Sequence, residues 1–438
     1  MLLKRFRIDR RAAVTPMFAL ALIPLMAAIG AAVDYSMAAN IRTQLLAAAD
    51  AASIGSVGKS SVALATAATM SSDGPIPAGA TDATKIFNAE IAGQKGYTLS
   101  GVTATVTKTG SNITSTVNFA AQVPTHFMGL FGITSVPVSG SSSAANNLPV
   151  FIDFYLLLDN TPSMGVGATT IDINTMVSNT SDQCAFACHD LSNANSYYNL
   201  AKSLGVTMRI DVLRTATQQL MDTASATAIF SNQFRMAIYT FGSSAKNPGL
   251  TTIQSITSNL STAKTSAAAI DLMTVPYQNY ADDTDTDFGD VLTDMNSTIP
   301  TPGTGTTSSS PQKYLFFVSD GVGDRAIGSP ACSQPTTNGS DPQTGTTYKR
   351  CQEPLNISFC TTIKNRGIKI AVLYTTYLPL PTNSWYNTWI APFVSQIATN
   401  MQSCASPGLY FEVSPSQGIS AAMNALFQKA VSQARLTK

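Results

Sequence analysis

Polar and charged positions vanish near the start of the chain. Ala12 to Val33 ("AAVTPMFALALIPLMAAIGAAV") runs 22 residues without a charge. As a helix this run is about 33 Å long, enough to cross a hydrocarbon core of about 30 Å. Helical patterning continues through Ser36–Ser53 ("SMAANIRTQLLAAADAAS"), rich in alanine and free of Pro and Gly. Pro24 predicts a kink, which a membrane span tolerates. From about Thr84 a short helix gives way to a period of two. Val102–Val123 ("VTATVTKTGSNITSTVNFAAQV") alternates about a TGSN turn and predicts a β-hairpin. Phe131–Ala144 predicts a further strand, running into a Ser/Ala/Asn linker before Asn147.

After residue 150 the apolar runs become continuous and strand-length: Val150–Asp159, Phe234–Gly242, Lys313–Gly321, Gly367–Thr376 and Leu409–Ser414. Buried parallel strands read this way. Helical patterns lie between them. Ile210, Leu213, Thr217 and Leu220 share one face, and "YNTWIAPFVSQIATNMQ" and "SAAMNALFQKAVSQA" fill later slots. The alternation predicts an α/β fold, a doubly wound and mostly parallel sheet, with its ligand site at the carboxyl ends of the strands. The chain then divides into a basic tail, transmembrane helix and helical extension (1–57), a small α+β spacer with the helix and hairpin (58–149), and the α/β domain (150–438).

Composition sharpens this picture. Charged residues are only 12%, which suits an exported or envelope protein. The net charge of +1 gives no argument for a nucleic-acid partner. Lys4, Arg5, Arg7, Arg10 and Arg11 precede the apolar run against one acid, Asp9. That bias keeps the N-terminus cytoplasmic and sends the rest outside. A cleaved signal peptide with "GAA" as its small-residue site is the competing reading, but the apolar run is longer than a usual signal core. The six cysteines all lie in the C-terminal domain, and an even number behind a membrane segment predicts disulfides. Sequence does not choose the connectivity. The preferred set is Cys360–Cys404, Cys332–Cys351 and Cys184–Cys188. "CAFACH" (Cys184 to His189) lacks haem-attachment spacing, and His126, the other His, lies outside the domain.

Two resemblances follow. "RRAAVTPMFALALIPLMAAIGAAVDYSMAANIRTQLLAAADAASIG" resembles the N-terminal segment of the tight-adherence (Tad) family, the TadG-like envelope proteins of bacterial Flp-pilus systems. The matching elements are Arg10–Arg11, the apolar span, Asp34–Tyr35, Arg42 and the "AADAA" of Ala48–Ala52. The resemblance implies a single-pass protein of the bacterial inner membrane. Its C-terminal domain would be periplasmic, with pilus assembly components as partners. No glutamate lies in or beside the apolar run, so the cleavage motif of pilin-like relatives is missing.

The second resemblance lies in "FIDFYLLLDNTPSMG" (Phe151–Gly165). A buried strand ends in Asp159, and hydroxyls follow at alternate positions, Thr161 and Ser163. Asp-x-Thr-x-Ser resembles the metal-ion-dependent adhesion site (MIDAS) of von Willebrand factor type A domains, usually Asp-x-Ser-x-Ser. "DDTDTDFGDVL" supplies that family's Thr as Thr286, and "LFFVSDG" supplies its later Asp as Asp320. The resemblance implies a divalent-cation site. Mg²⁺ wants six oxygens and is held by one or two carboxylates, so Mg²⁺ is the expected occupant, with Mn²⁺ or Ca²⁺ as substitutes. An open position would accept a carboxylate from a protein partner.

The bland reading of Asp159–Ser163 is an Asx turn closing a strand. Asp283, Asp285, Asp287 and Asp294 match EF-hand spacing, but Phe288 stands where the loop needs Gly. Val166–Tyr198, with Cys184 and Cys188, is a long insertion beside the site. Gly303–Gln312 and Gly328–Thr347 read as surface loops. No nucleophile elbow, P-loop or dinucleotide fingerprint is present, and two His leave little general-base chemistry. The expectation is a non-enzymatic envelope protein presenting a metal-dependent domain. The alternatives are a secreted or surface adhesin, a scaffold with a vestigial site, and, with no credible nucleophile, an envelope hydrolase.

Overall fold

The computed structural model describes residues 14–187, 189–377, 379–380, 383–414 and 418–436. Two compact units divide between Leu148 and Pro149.

The first unit is built on one long helix, α1 (Val14–Ser56), with Pro24 inside it. Its first half exposes Met17, Phe18, Leu20 and Ile23, whereas Ala38, Leu45, Ala48, Ala49 and Ala52 are buried. That spacing of three and four lays one stripe on the core, where it meets Phe87, Val117, Phe119, Ala121 and Val123. Two shorter helices follow, α2 (Val62–Ala67) and α3 (Pro77–Glu90). The sheet is antiparallel, in the order β1 (Gly74–Pro75), β2 (Thr98–Thr109), β3 (Asn112–Pro124), β4 (Ser135–Asn147). The expected hairpin is present and turns at Gly110, whose φ of +58° favours glycine.

The Ser/Ala/Asn stretch is not a linker. It is the second half of β4, paired with β3 along its whole length. Small residues serve packing there. A Cβ at Gly140 would lie 2.7 Å from both Leu46 and Phe119, and Ser142 shares a hydrogen bond with Ser53 of α1 (3.0 Å).

The second unit is α/β. Its main sheet runs β8 (Asn247–Thr257), β7 (Phe234–Ser244), β5 (Ile152–Leu158), β10 (Gln312–Ser319), β14 (Lys369–Thr375), β15 (Tyr410–Val413). In chain order this is 3-2-1-4-5-6, the doubly wound sheet that the sequence predicts. All pairings in it are parallel except β7 with β8. The short strands β6 (His189–Asp190) and β9 (Thr274–Val275) continue the sheet past the end of β7.

The helices are α4 (Thr170–Asn179), α5 (Tyr197–Ser203), α6 (Arg209–Thr227), α7 (Leu260–Ala267), α8 (Phe288–Thr298), α9 (Ile357–Asn365), α10 (Val394–Cys404) and α11 (Ile419–Leu436). Period two along the central strands sorts their side chains to opposite faces. Phe154, Leu156, Phe316 and Val318 meet Ile210, Leu213 and Leu220 of α6 and Phe427 of α11. Tyr155, Leu157, Leu315 and Phe317 meet Leu292 of α8, Ile363 of α9 and Ile397 of α10. At the start of β5 the buried Asp153 pairs with Arg235 (2.6 Å) and Lys313 (2.5 Å).

Three details differ from the sequence reading. The stretch 328–347, expected as a surface loop, contains β12 (Thr337–Ser340), which joins β11 (Val322–Ala326) and β13 (Thr347–Pro354) in a second, antiparallel sheet. The helix expected from Tyr386 opens as a π turn and a 3₁₀ turn around Pro392 before α10 begins; proline's missing N–H accounts for the break. Two expected disulfides are present, Cys332–Cys351 and Cys360–Cys404. For the third, Cys188 lies outside the described residues, and Cys184 bonds no other described cysteine.

Candidate metal centre

Asp159 and Asp320 end the two neighbouring central strands. The β5–β10 ladder aligns Leu158 with Val318, and the N–H of Asp159 donates to the carbonyl of Val318 (2.9 Å). The next residues therefore leave the sheet side by side, between the first and fourth strands. This is the switch point where the sheet's winding reverses and a crevice opens.

The chain after Asp159 is folded onto that carboxylate. Both the N–H and the hydroxyl of Thr161 donate to its Oδ1 (3.0 and 2.7 Å). Ser319 donates to Oδ2 (2.6 Å). The Thr161 and Ser163 hydroxyls lie 3.3 Å apart. Asn160 clamps the loop from behind: its amide donates to the carbonyls of Gly242 and Asp271 and accepts from the N–H of Phe241. After Asp320, Gly321 turns the chain at φ +75°; a Cβ there would lie 2.7 Å from Ile397.

Asp159, Thr161 and Asp320 are fully buried. Burial, and then the charge of Asp320, push Asp159 up to about 7, against the pull of Ser319 and Thr161. Burial also raises Asp320, opposed by Arg209 and by a hydrogen bond from Ser163. Arg209 begins α6 and is itself buried. Its Nη1 lies 3.5 Å from Asp320 Oδ2. Among the described residues, Asp320 Oδ2 has no hydrogen bond, nor do Nε and Nη1 of Arg209.

The structure thus gathers Asp159, Thr161, Ser163 and Asp320. Thr286 lies on another loop, held by paired backbone hydrogen bonds with Asp324 (2.7 and 2.8 Å). It lines the same cavity as Ser163, about 220 Å³ in volume. Cys184 and Phe186 of the insertion form part of that cavity's wall. Ser319, Asn160 and Arg209 escaped the sequence reading. Ser319 directly precedes Asp320, so the alignment of the two strand ends could have flagged it; nothing in the sequence marks the other two.

The donor set fits a hard divalent cation. The two carboxylates and the hydroxyls of Thr161 and Ser163, with Thr286 across the cavity, are all oxygen donors, and a buried carboxylate oxygen without a hydrogen bond is costly until a cation or proton meets it. Arg209 supplies part of that charge, without the hydrogen bonds that would complete it.

No curated protein matches the chain. Among solved structures, the von Willebrand domain of the type V pili tip protein Mfa5 from Porphyromonas gingivalis is similar at 11% identity, covering 65% of this chain and 96% of that one, with a TM-score of 0.36. The PilB minor pilin from Streptococcus sanguinis is similar at 11% identity, covering 77% and 78%, with a TM-score of 0.35. Likeness at these scores carries no argument, and the fold rests on the strand order given above. The apolar helix is where a family enters: residues 12–58 match the Tad family model described as "Putative Flp pilus-assembly TadE/G-like".

Proposed function

We propose that this protein is a membrane-anchored envelope component of a Flp-type pilus or tight-adherence system. The Tad segment supports the pilus association. A helix long and apolar enough to cross a membrane supports the anchor. The basic residues before it favour a cytoplasmic N-terminus in the inner membrane and a periplasmic C-terminal domain. The role is binding rather than catalysis. A divalent cation, Mg²⁺ in cells, would be held by Asp159, Thr161, Ser163, Thr286 and Asp320, and would receive a carboxylate from a protein partner among the pilus components. The observation that carries this reading is the buried Oδ2 of Asp320, without a hydrogen bond among the described residues, beside Asp159 at the switch point.

One observation favours a second reading. Arg209 already places a positive charge against Asp320, as a metal-free scaffold would require. Calorimetric titration of Mg²⁺ or Mn²⁺ into the wild type and Asp159→Ala, with circular dichroism as the fold control, separates the two. Binding by the wild type alone is the expected result. Equal binding by both would refute the site, and binding by neither would leave the scaffold.

A further inference from the structure

The loop between β3 and β4 carries an uncovered apolar tip. Leu130 is 83% exposed and Phe131 61%, with Phe127 and Ile133 near half. No Asp, Glu, Lys or Arg occurs between Lys108 and Asp153. Apolar clusters of this kind mark a surface with a partner.

The loop's placement identifies the partner. The carboxylate of Asp34, on α1, accepts hydrogen bonds from the backbone N–H groups of His126 (2.9 Å), Phe127 (2.9 Å) and Met128 (2.7 Å). Phe127 then lies on Gly30, where a Cβ would come within 2.5 Å of its own. Beyond that, a cleft is lined by Leu22, Ile23, Met26 and Ala27 of α1 facing Phe127, Leu130 and Phe131. The tip therefore runs back along the helix from Asp34 to Leu22, about 18 Å at 1.5 Å per residue. Every α1 residue it passes belongs to the uncharged run Ala12–Val33.

The loop's backbone is also prepared for a medium without water, where unpaired polar groups are costly. Leu130 N–H donates to Phe127 O, Gly132 to Gly129, Ile133 to Met128, and Thr125 to Thr134. The Thr125 hydroxyl donates to the carbonyl of Ile133. Asp34 is 3% exposed and turns both oxygens inward onto the loop.

We propose that residues 127–133 form a wedge inserted among the acyl chains of the outer leaflet of the membrane that α1 crosses, making a second lipid contact that fixes the first unit against the bilayer. This inference rests on the membrane-anchor reading. The other candidate occupant is the apolar helix of a second copy of the chain.

The test uses the full chain with Trp385→Phe and Trp389→Phe, reconstituted in phosphatidylcholine vesicles brominated on the acyl chains. Single indoles are then introduced by Leu130→Trp, by Leu22→Trp in the helix, and by Ser111→Trp at the far hairpin turn. Phe131→Trp replaces Leu130→Trp if the latter fails to fold. The expected result is blue-shifted emission with at least twofold quenching for Leu130→Trp and Leu22→Trp, and neither for Ser111→Trp. Water-like emission from Leu130→Trp beside a quenched Leu22→Trp would overturn the wedge and leave the anchor standing. Loss of quenching at both positions would remove both. Blue-shifted but unquenched emission from Leu130→Trp would overturn the lipid assignment in favour of a second copy.

Discussion

Arg209 Nη1 stands 3.5 Å from Asp320 Oδ2, and both side chains are closed to solvent. With Asp159 ionised beside them, the cluster carries a net charge of −1, which a divalent ion would turn to +1. At about 6 Å and an effective dielectric of about 20, the guanidinium would oppose a divalent ion by roughly 5 kcal/mol before solvent and relaxation reduce it. Arg209→Gln should therefore bind Mn²⁺ at least about tenfold more tightly than the wild type in calorimetric titration. The same variant should melt at lower temperature in chelator, because breaking a buried pair costs about 3–5 kcal/mol, and added metal should recover the loss. An unchanged affinity would mean that Arg209 does not compete for the site.

Much of this architecture is legible in the sequence, because burial on both faces writes itself as continuous apolar runs. Strands β5, β10 and β14 are such runs, and the carboxylates that end two of them, Asp159 and Asp320, stand out for that reason. Thr161 and Ser163 are legible from their alternation. What stays hidden depends on distant partners. Arg209 looks like any basic residue at a helix start until the fold turns it inward. Asn160 looks like a turn residue, yet it ties the site loop to the end of β7. The second half of β4 reads as a linker because its Ser and Ala side chains report packing space for α1 rather than strand propensity. Strands β12 and β13 are polar and lie off the main sheet, so period and hydrophobicity give no signal for them.

Asp283 offers a test in the acidic segment that lines the cavity. Burial raises its carboxyl to about 6, against the pull of Arg350 and with a further push from Asp324 and Asp282. A carboxyl raised in the folded state contributes its share of stability fully below the unfolded value of about 3.9. That share is lost as pH climbs through about 6. Asp283→Asn abolishes this titration, and Asn tolerates the residue's φ of +55°. Thermal melts in chelator should show the variant more stable than the wild type at pH 8, with the difference gone at pH 4. A constant difference across that range would assign the effect to packing instead of charge.

The two disulfides should open in a fixed order. Cys360 and Cys404 are both wholly buried, in α9 and at the end of α10. Cys332 is partly exposed, while its partner Cys351 is buried. Reductant can reach a sulfur of the second pair in the folded state, whereas the first requires α9 and α10 to separate. Under native conditions, mild reductant followed by thiol labelling and peptide mapping should find Cys332 and Cys351 modified first. Cys360 and Cys404 should react only in denaturant. In the chain-entropy model the separations of 19 and 44 residues correspond to about 3 and about 4 kcal/mol. Cys360→Ala with Cys404→Ala should therefore lower the denaturant midpoint at least as far as Cys332→Ala with Cys351→Ala. Simultaneous labelling of all four thiols in native buffer would show that the packing of α9 on α10 does not shield the inner bond.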